Sequence, residues 1–293
     1  MHSHTFFARA RRVLLAGVAA LFVTGPSFAQ DQGPSAALEY ISKAARTSGW
    51  TEAELMEILG QAQFQPRILE LMEKPAERAM PWYVYEARIV DKERIAAGKE
   101  FMATHAKALA RAQATSGVPK EIIAGIIGLE TRYGTNRGSY RVLDSLATLS
   151  FHYPRRAAFF QKELTAFLTL ARAGDVDLMS LKGSYAGAYG WPQFMPSNVA
   201  KLATDFDGDG KIDLYNSPTD AIGSVANYLK ENGWKPGKTV VSKRKGSAGS
   251  NLELEGEDGP LYFKTEHNFK VIRRYNQSNL YAMAVYKLSQ KLK

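Results

Sequence analysis

The chain has 293 residues, 45% hydrophobic and 23% charged, with a formal net charge of +9. These values exclude a disordered or low-complexity chain and leave room for one large or two modest domains around a real core. There is no cysteine, so that core holds the fold without disulfides.

Arg9, Arg11 and Arg12, the apolar run Val13 to Val23 and the small-x-small site Ser27-Phe28-Ala29 read as a signal peptide over residues 1–29. The apolar run is too short for a membrane span. Its removal takes away three arginines and no acid, so the net charge of +9 falls to about +6 in the mature form. Arg11-Arg12 raises a twin-arginine route, but its surroundings favour ordinary secretion. The remaining basic excess is dispersed, with Lys243-Arg244-Lys245 its densest run. It suits an acidic partner such as a cell-wall polymer, and solvated surface charge is favoured over nucleic-acid binding.

From Ala36 to about Leu71 the apolar spacing is helical, with Thr51 and Glu54 as a capping box. Pro81 to Glu86 is dense in aromatics, which serve either as core or as a platform for sugar rings. A long helix is expected from about Ile89 to Ser116. Pro119 to Gly134 reads as a further helix, with Pro119 in its first turn and Gly134 just past its end. Ile123, Ile127 and Glu130 fall at i, i+4 and i+7, so one carboxylate shares a face with two isoleucines, and Ala124, Gly125 and Gly128 admit a close neighbour. Apolar surroundings and the helix C-terminus both favour a protonated carboxyl at Glu130, the condition of a general acid. The alternative is a solvated glutamate paired with Arg132.

Leu143 to Leu149 and Arg156 to Ala173 read as helices, with Arg155 and Arg156 at the start of the second. Gly183 to Ser197 is rich in glycine and aromatics and long enough to line a groove. Asp205, Asp207, Asp209, the Lys211 carbonyl and Gly210 follow the opening of an EF-hand calcium loop. Asn216 stands where that loop carries its closing glutamate, and Asp220 closes the site if the loop is longer; the alternative is an acidic turn without metal. Asp220 to Asn232 is helical. Val240-Val241, Leu252 to Glu255 and Leu261 to Phe263 read as strands of a small antiparallel sheet, and His267 to Lys293 returns to helix with Ser278 as a cap.

Five segments together resemble the membrane-bound lytic transglycosylase B family: Ile126 to Gly134, Gly183 to Ser197, the aspartate-rich loop, Asp220 to Tyr228, and Arg274-Tyr275-Asn276. The resemblance extends from about Trp82 to Lys293. It implies a mainly α, α+β fold: a lysozyme-like helical core, a helical N-terminal domain, a small antiparallel β insertion and a structural Ca²⁺ in an EF-hand-like loop. The expected division is an N-terminal domain over 30–115, a core over 116–235 with the loop at 205–220, a β domain over 236–272 and a closing helix over 273–293.

The activity implied is cleavage of the β-1,4 bond between N-acetylmuramic acid and N-acetylglucosamine in peptidoglycan, leaving a 1,6-anhydromuramoyl end. The catalytic acid matches Glu130. Ser184, Gln193, Tyr228, Tyr275, Asn276, Arg155 and Arg156 match substrate-binding positions, Tyr85 is a further match, and Tyr189 joins the stacking tyrosines. Asp205, Asp207, Asp209, Lys211 and Asp220 are the expected metal ligands. Partners are peptidoglycan strands and, further out, other cell-wall enzymes. Two features depart from the family. The lipid-attachment cysteine is absent, which points to a soluble periplasmic protein of a Gram-negative bacterium without a lipid anchor, and the interval from Asp213 to Asp220 is one residue longer. The competing readings are a hydrolytic muramidase and a non-catalytic Ca²⁺-dependent wall-binding protein.

Overall fold

The computed structural model describes residues 33–73 and 80–293, and the expected signal peptide lies outside them. The fold is mainly helical with two small antiparallel sheets. Its residues gather into two compact units built from interleaved segments.

The first unit takes 33–73, Gly138–Tyr189 and Phe194–Ala200. Residues 33–73 form three helices, α1 (Gly33–Ser48), α2 (Glu52–Gly60) and α3 (Pro66–Glu73). The expected capping box opens α2: the Glu54 amide donates to Thr51 Oγ1 at 3.2 Å, and Glu54 Oε2 accepts the Thr51 amide at 2.7 Å. The unit continues through β1 (Tyr140–Arg141), α8 (Val142–His152), a 3₁₀ turn (Pro154–Arg156), α9 (Ala157–Ala173), β2 (Lys182–Gly183) and most of α10 (Pro196–Leu202). From Val142 to Phe151 every residue of α8 is buried, as expected of a helix apolar all round at the centre of a unit. Polar anchors fix the chain that wraps it. Asp144 Oδ1 accepts the Gln63 amide at 2.8 Å, Thr148 Oγ1 accepts the Gln65 amide at 3.1 Å, and Glu163, 2% exposed, accepts both the amide and hydroxyl of Ser197 at the start of α10.

The second unit takes 80–137, Gly190–Gln193 and Lys201–Lys293. Its helices are α4 (Trp82–Ile89), α5 (Lys92–Thr104), α6 (Ala106–Ser116), α7 (Lys120–Thr131), α11 (Pro218–Glu231), α12 (His267–Tyr275) and α13 (Asn279–Lys291). The single long helix expected from Ile89 to Ser116 is therefore two. Asp91 starts α5 by accepting the Arg94 amide at 2.6 Å, and His105, at φ −107°, ψ 25°, breaks the helix before α6. The aromatic run from Trp82 is itself helical, and the C-terminal helix is interrupted before Ser278, whose Oγ accepts the Tyr281 amide at 3.2 Å to start α13. Three strands, β3 (Val241–Arg244), β4 (Leu252–Gly256) and β5 (Gly259–Thr265), form an antiparallel sheet in the order β3-β5-β4.

Helix α7 is the centre of this unit: Ile122 to Gly128 are all buried, and α5, α6, α11 and α13 pack around it. Gly125 is the reason α13 can come so close. A Cβ there would lie 3.2 Å from the Val285 carbonyl oxygen. Among the described residues no helix is long and apolar enough to cross a membrane.

Candidate active site

Helix α7 ends at Thr131, three residues before Gly134, because Arg132 and Tyr133 already adopt φ of 49° and 55° and Gly134 follows at 84°. Non-glycine residues pay roughly 1–2 kcal/mol each for that conformation. Thr131 Oγ1 accepts the Gly134 amide at 3.0 Å and lies 3.1 Å from the Trp191 carbonyl, so one hydroxyl holds both the reversal and a neighbouring loop. Arg132 pairs with Asp91 at 3.2 Å. Glu130 stands in this last turn, half-buried, and its Oε1 accepts the hydroxyl of Tyr281 at 2.6 Å.

Tyr281 was not legible as a site residue in the sequence. The signal for it was its place three residues after the Ser278 cap, on the buried stripe of α13 shared with Ala284 and Leu288. Its ring stacks on that of Tyr275, with centroids 6.4 Å apart and planes at 13°, and Tyr275 meets Tyr228 at 4.7 Å. Tyr275 donates to the Pro192 carbonyl at 2.6 Å and Tyr228 to the Arg274 carbonyl at 2.7 Å. Burial, followed by the nearby Glu130 charge, pushes the Tyr275 and Tyr281 phenols well above the usual tyrosine value, and burial pushes Tyr228 up to about 12. These three rings thus stay neutral hydrogen-bonding groups at any physiological pH. The structure brings Glu130, Tyr228 and Tyr275 together through them.

Asn276 follows directly as an exposed residue in extended backbone, φ −140°, ψ 124°. Gln193, at φ 48°, donates through Nε2 to the Gly190 carbonyl at 2.9 Å and the Arg137 carbonyl at 3.2 Å, which shapes its own loop. Tyr85 is 3% exposed, with its ring 6.3 Å from that of Trp82.

In the first unit, Gly183 leads into a tight turn. The Ser184 amide donates to the Ala188 carbonyl at 2.7 Å, and Ser184 Oγ accepts the Ala188 amide at 3.1 Å. A Cβ on Gly183 would lie 2.3 Å from the Ala188 oxygen, so only glycine fits. Tyr189 corrects the expectation of a sugar-stacking ring: it is 2% exposed and packs edge-on to Phe167, 6.5 Å away, as part of the core. Arg155 lies 3.6 Å from Glu73, both exposed, and the Arg156 guanidinium sits 4.2 Å over the ring of Phe159.

One oxygen from each of Asp205, Asp207 and Asp209 lies within 4.8 Å of the others, a donor set suited to a hard cation. Asp220 holds the backbone of the same loop. It is 1% exposed, its Oδ1 accepts the amides of Phe206 at 2.8 Å and Asp207 at 3.2 Å, and its Oδ2 accepts that of Asp213 at 2.9 Å.

A glutamate at the end of a buried helix, held by one of three neighbouring tyrosines, stands on a mainly helical, lysozyme-like frame, the class of a glycan-cleaving enzyme. The chain belongs to the transglycosylase SLT domain family, whose model matches residues 34–255 and 239–290, and it is a lytic murein transglycosylase. It is 40% identical over 295 residues to the membrane-bound lytic murein transglycosylase B of Escherichia coli (strain K12), covering 87% of this chain and 81% of that protein. Its structure matches the soluble lytic transglycosylase SltB1 of Pseudomonas aeruginosa at TM-score 0.82 and 42% identity, over 87% of this chain and 97% of that one. It also matches the E. coli lytic transglycosylase SLT35 in complex with calcium at TM-score 0.83 and 38% identity, over 92% and 95%.

Proposed function

We propose that Glu130 acts as acid and then base in cleaving the β-1,4 bond between N-acetylmuramic acid and N-acetylglucosamine. The carrying observation is its carboxyl, fixed through Oε1 by the neutral Tyr281 phenol at 2.6 Å. Glu130 gives its proton to the glycosidic oxygen, which leaves as the N-acetylglucosamine hydroxyl while positive charge develops at the muramoyl C1. The 6-hydroxyl of the same muramoyl sugar forms the new bond to C1, and its proton returns to Glu130. No water is consumed, and the product is a 1,6-anhydro end. An internal nucleophile already held in place supplies the effective concentration that a second carboxylate and an activated water supply in a hydrolase.

On the family match, Ser184 and Asn276 bind the muramoyl sugar, while Arg155 and Arg156 meet lactyl or peptide carboxylates. Phe159 beneath Arg156 keeps that guanidinium flat and presented. Calcium fits Asp205, Asp207 and Asp209 by donor chemistry, with the Lys211 carbonyl as a further ligand. Asp220 anchors the loop's backbone, and the family match makes it the further ligand that closes the ion site. The basic, apolar and small-x-small order of residues 9–29 supports export to the periplasm.

Glu130→Gln is the test. The variant should melt as the wild type does while activity on purified peptidoglycan falls by about 10²–10⁴-fold. Mass spectrometry of wild-type products should show anhydro ends. A folded glutamine variant with near wild-type release removes Glu130 from the chemistry, and reducing ends in place of anhydro ends would make the enzyme a hydrolytic muramidase.

A further inference from the structure

The end of α7 contains a wedge that the chemistry above does not use. Two consecutive non-glycine residues, Arg132 and Tyr133, hold left-handed backbone, a combination that persists only where the surroundings enforce it. The enforcing element is the Tyr133 ring, 8% exposed. A Cβ on Gly128 would lie 2.5 Å from Tyr133 Cζ and Oη, and a Cβ on Gly98 would lie 2.3 Å from Oη. Phe101 packs against the same ring at 5.3 Å. Gly98 and Phe101 lie on the buried face of α5, while Gly128 belongs to α7 itself, so the ring occupies a socket cut by two glycines. Among the described residues the Tyr133 hydroxyl has no hydrogen-bond partner. Fit, not hydrogen bonding, holds it there.

We propose that Tyr133 is a positioning residue for Glu130: its ring, wedged between Gly98 and Gly128, holds the double left-handed turn that ends α7 and so sets where the Glu130 carboxyl stands. The proposal rests on the reading of Glu130 as the acid. With the ring gone, Arg132 and residue 133 relax toward right-handed backbone. The Thr131 hydroxyl then loses its arrangement with the Gly134 amide and the Trp191 carbonyl, and Glu130 shifts with the turn. A displacement of about 1 Å at a reacting group costs on the order of 10²-fold in rate.

The experiment compares Tyr133→Phe, Tyr133→Ala, Gly98→Ala, the Gly98→Ala/Tyr133→Phe pair and Glu130→Gln in the mature protein. It measures kcat and KM on solubilised glycan strands and thermal melts on each. Tyr133→Phe should keep kcat within about twofold, since the ring remains and its hydroxyl has no partner, whereas Tyr133→Ala should lower kcat ~10- to 100-fold with KM within about twofold. Gly98→Ala should also lower kcat, and adding Tyr133→Phe should restore about twofold by removing the oxygen 2.3 Å from the new methyl, while Tyr133 Cζ at 2.9 Å and the flexible end of Leu292 at 2.6 Å remain to give way. A folded Tyr133→Ala variant at wild-type kcat overturns the proposal, as does additivity of Gly98→Ala and Tyr133→Phe. If Tyr133→Ala does not melt cooperatively, the glycine pair decides. Inactive Glu130→Gln beside fully active Tyr133→Ala refutes the wedge alone, whereas active Glu130→Gln refutes the acid assignment and the wedge's purpose with it.

Discussion

Replacing Asp220 tests whether the acidic loop is organised by its backbone anchor or only by an ion. Its buried carboxylate accepts three amides, from Phe206 at 2.8 Å, Asp213 at 2.9 Å and Asp207 at 3.2 Å. Asp220→Ala leaves all three without that acceptor. A hydrogen bond to a charged group contributes about 1.5–3 kcal/mol, these part-buried ones fall at the lower end and the longest counts least, so about 3–5 kcal/mol is expected. At about 2–4 °C per kcal/mol the melting temperature should drop by roughly 6–20 °C. Asp220→Asn keeps an oxygen toward Phe206 and Asp207 but turns an NH₂ toward the Asp213 amide, so it should lose about 1–3 kcal/mol, the share of one donor. The assay is thermal unfolding in chelator, where no ion contributes. A residue whose work is only to bind a cation repels Asp207 when the cation is removed, and deleting it would then leave the melting temperature unchanged or raise it. That outcome, or an asparagine variant as damaged as the alanine one, would refute the anchor.

Tyr281→Phe removes the hydroxyl that Glu130 accepts; as the proton leaves Glu130 that bond becomes one to a charged group, and its about 1.5–3 kcal/mol corresponds to a roughly 10- to 100-fold loss of kcat, read with unchanged thermal stability. Calcium at a hundredfold excess over its Kd should stabilise the fold by about 2.7 kcal/mol, and Asp207→Asn with Asp209→Asn should abolish that response in thermal melts. His105 has its pKa lowered by burial. The folded state therefore binds its proton less readily than the unfolded chain, and stability is lost as pH falls through about 6.5 toward the lower folded value. His105→Phe, which keeps a ring against Phe101, should be less acid-sensitive than wild type over that interval in denaturant titrations.

Local signals were readable wherever their partners lie close in sequence. Thr51 and Glu54 are three residues apart, and the box they predict is present. The strands read at Leu252 to Glu255 and Leu261 to Phe263 are present, and they face each other across the two-residue turn Glu257-Asp258. Glu130 was visible because helical spacing alone puts it beside Ile123 and Ile127. What the pattern did not carry depends on distant partners. Tyr281 meets Glu130 across 151 positions, and its hydroxyl looks like any other on an apolar stripe. Tyr189 lies in a glycine-rich run that reads as open loop, yet two backbone bonds with Phe194 turn its ring into the core. Asp220 reads as a fourth acid near three others; only the folded loop brings three amides to it. The helix break at His105 carries neither glycine nor proline, so periodicity ran straight through it.

The interleaving of the two units has a consequence for biogenesis. The backbone passes from one unit to the other between residues 73 and 80, and again at 137–138, 189–190, 193–194 and 200–201. Neither unit corresponds to a stretch of gene that could be excised or exchanged. During synthesis, residues 33–73 emerge well before Val142 to Ala173, the helices they enclose, and must wait for them. The second unit begins next and is complete only when α13 follows at the C-terminus, so a chain cut short beyond residue 200 carries every segment of the first unit and an unfinished second one.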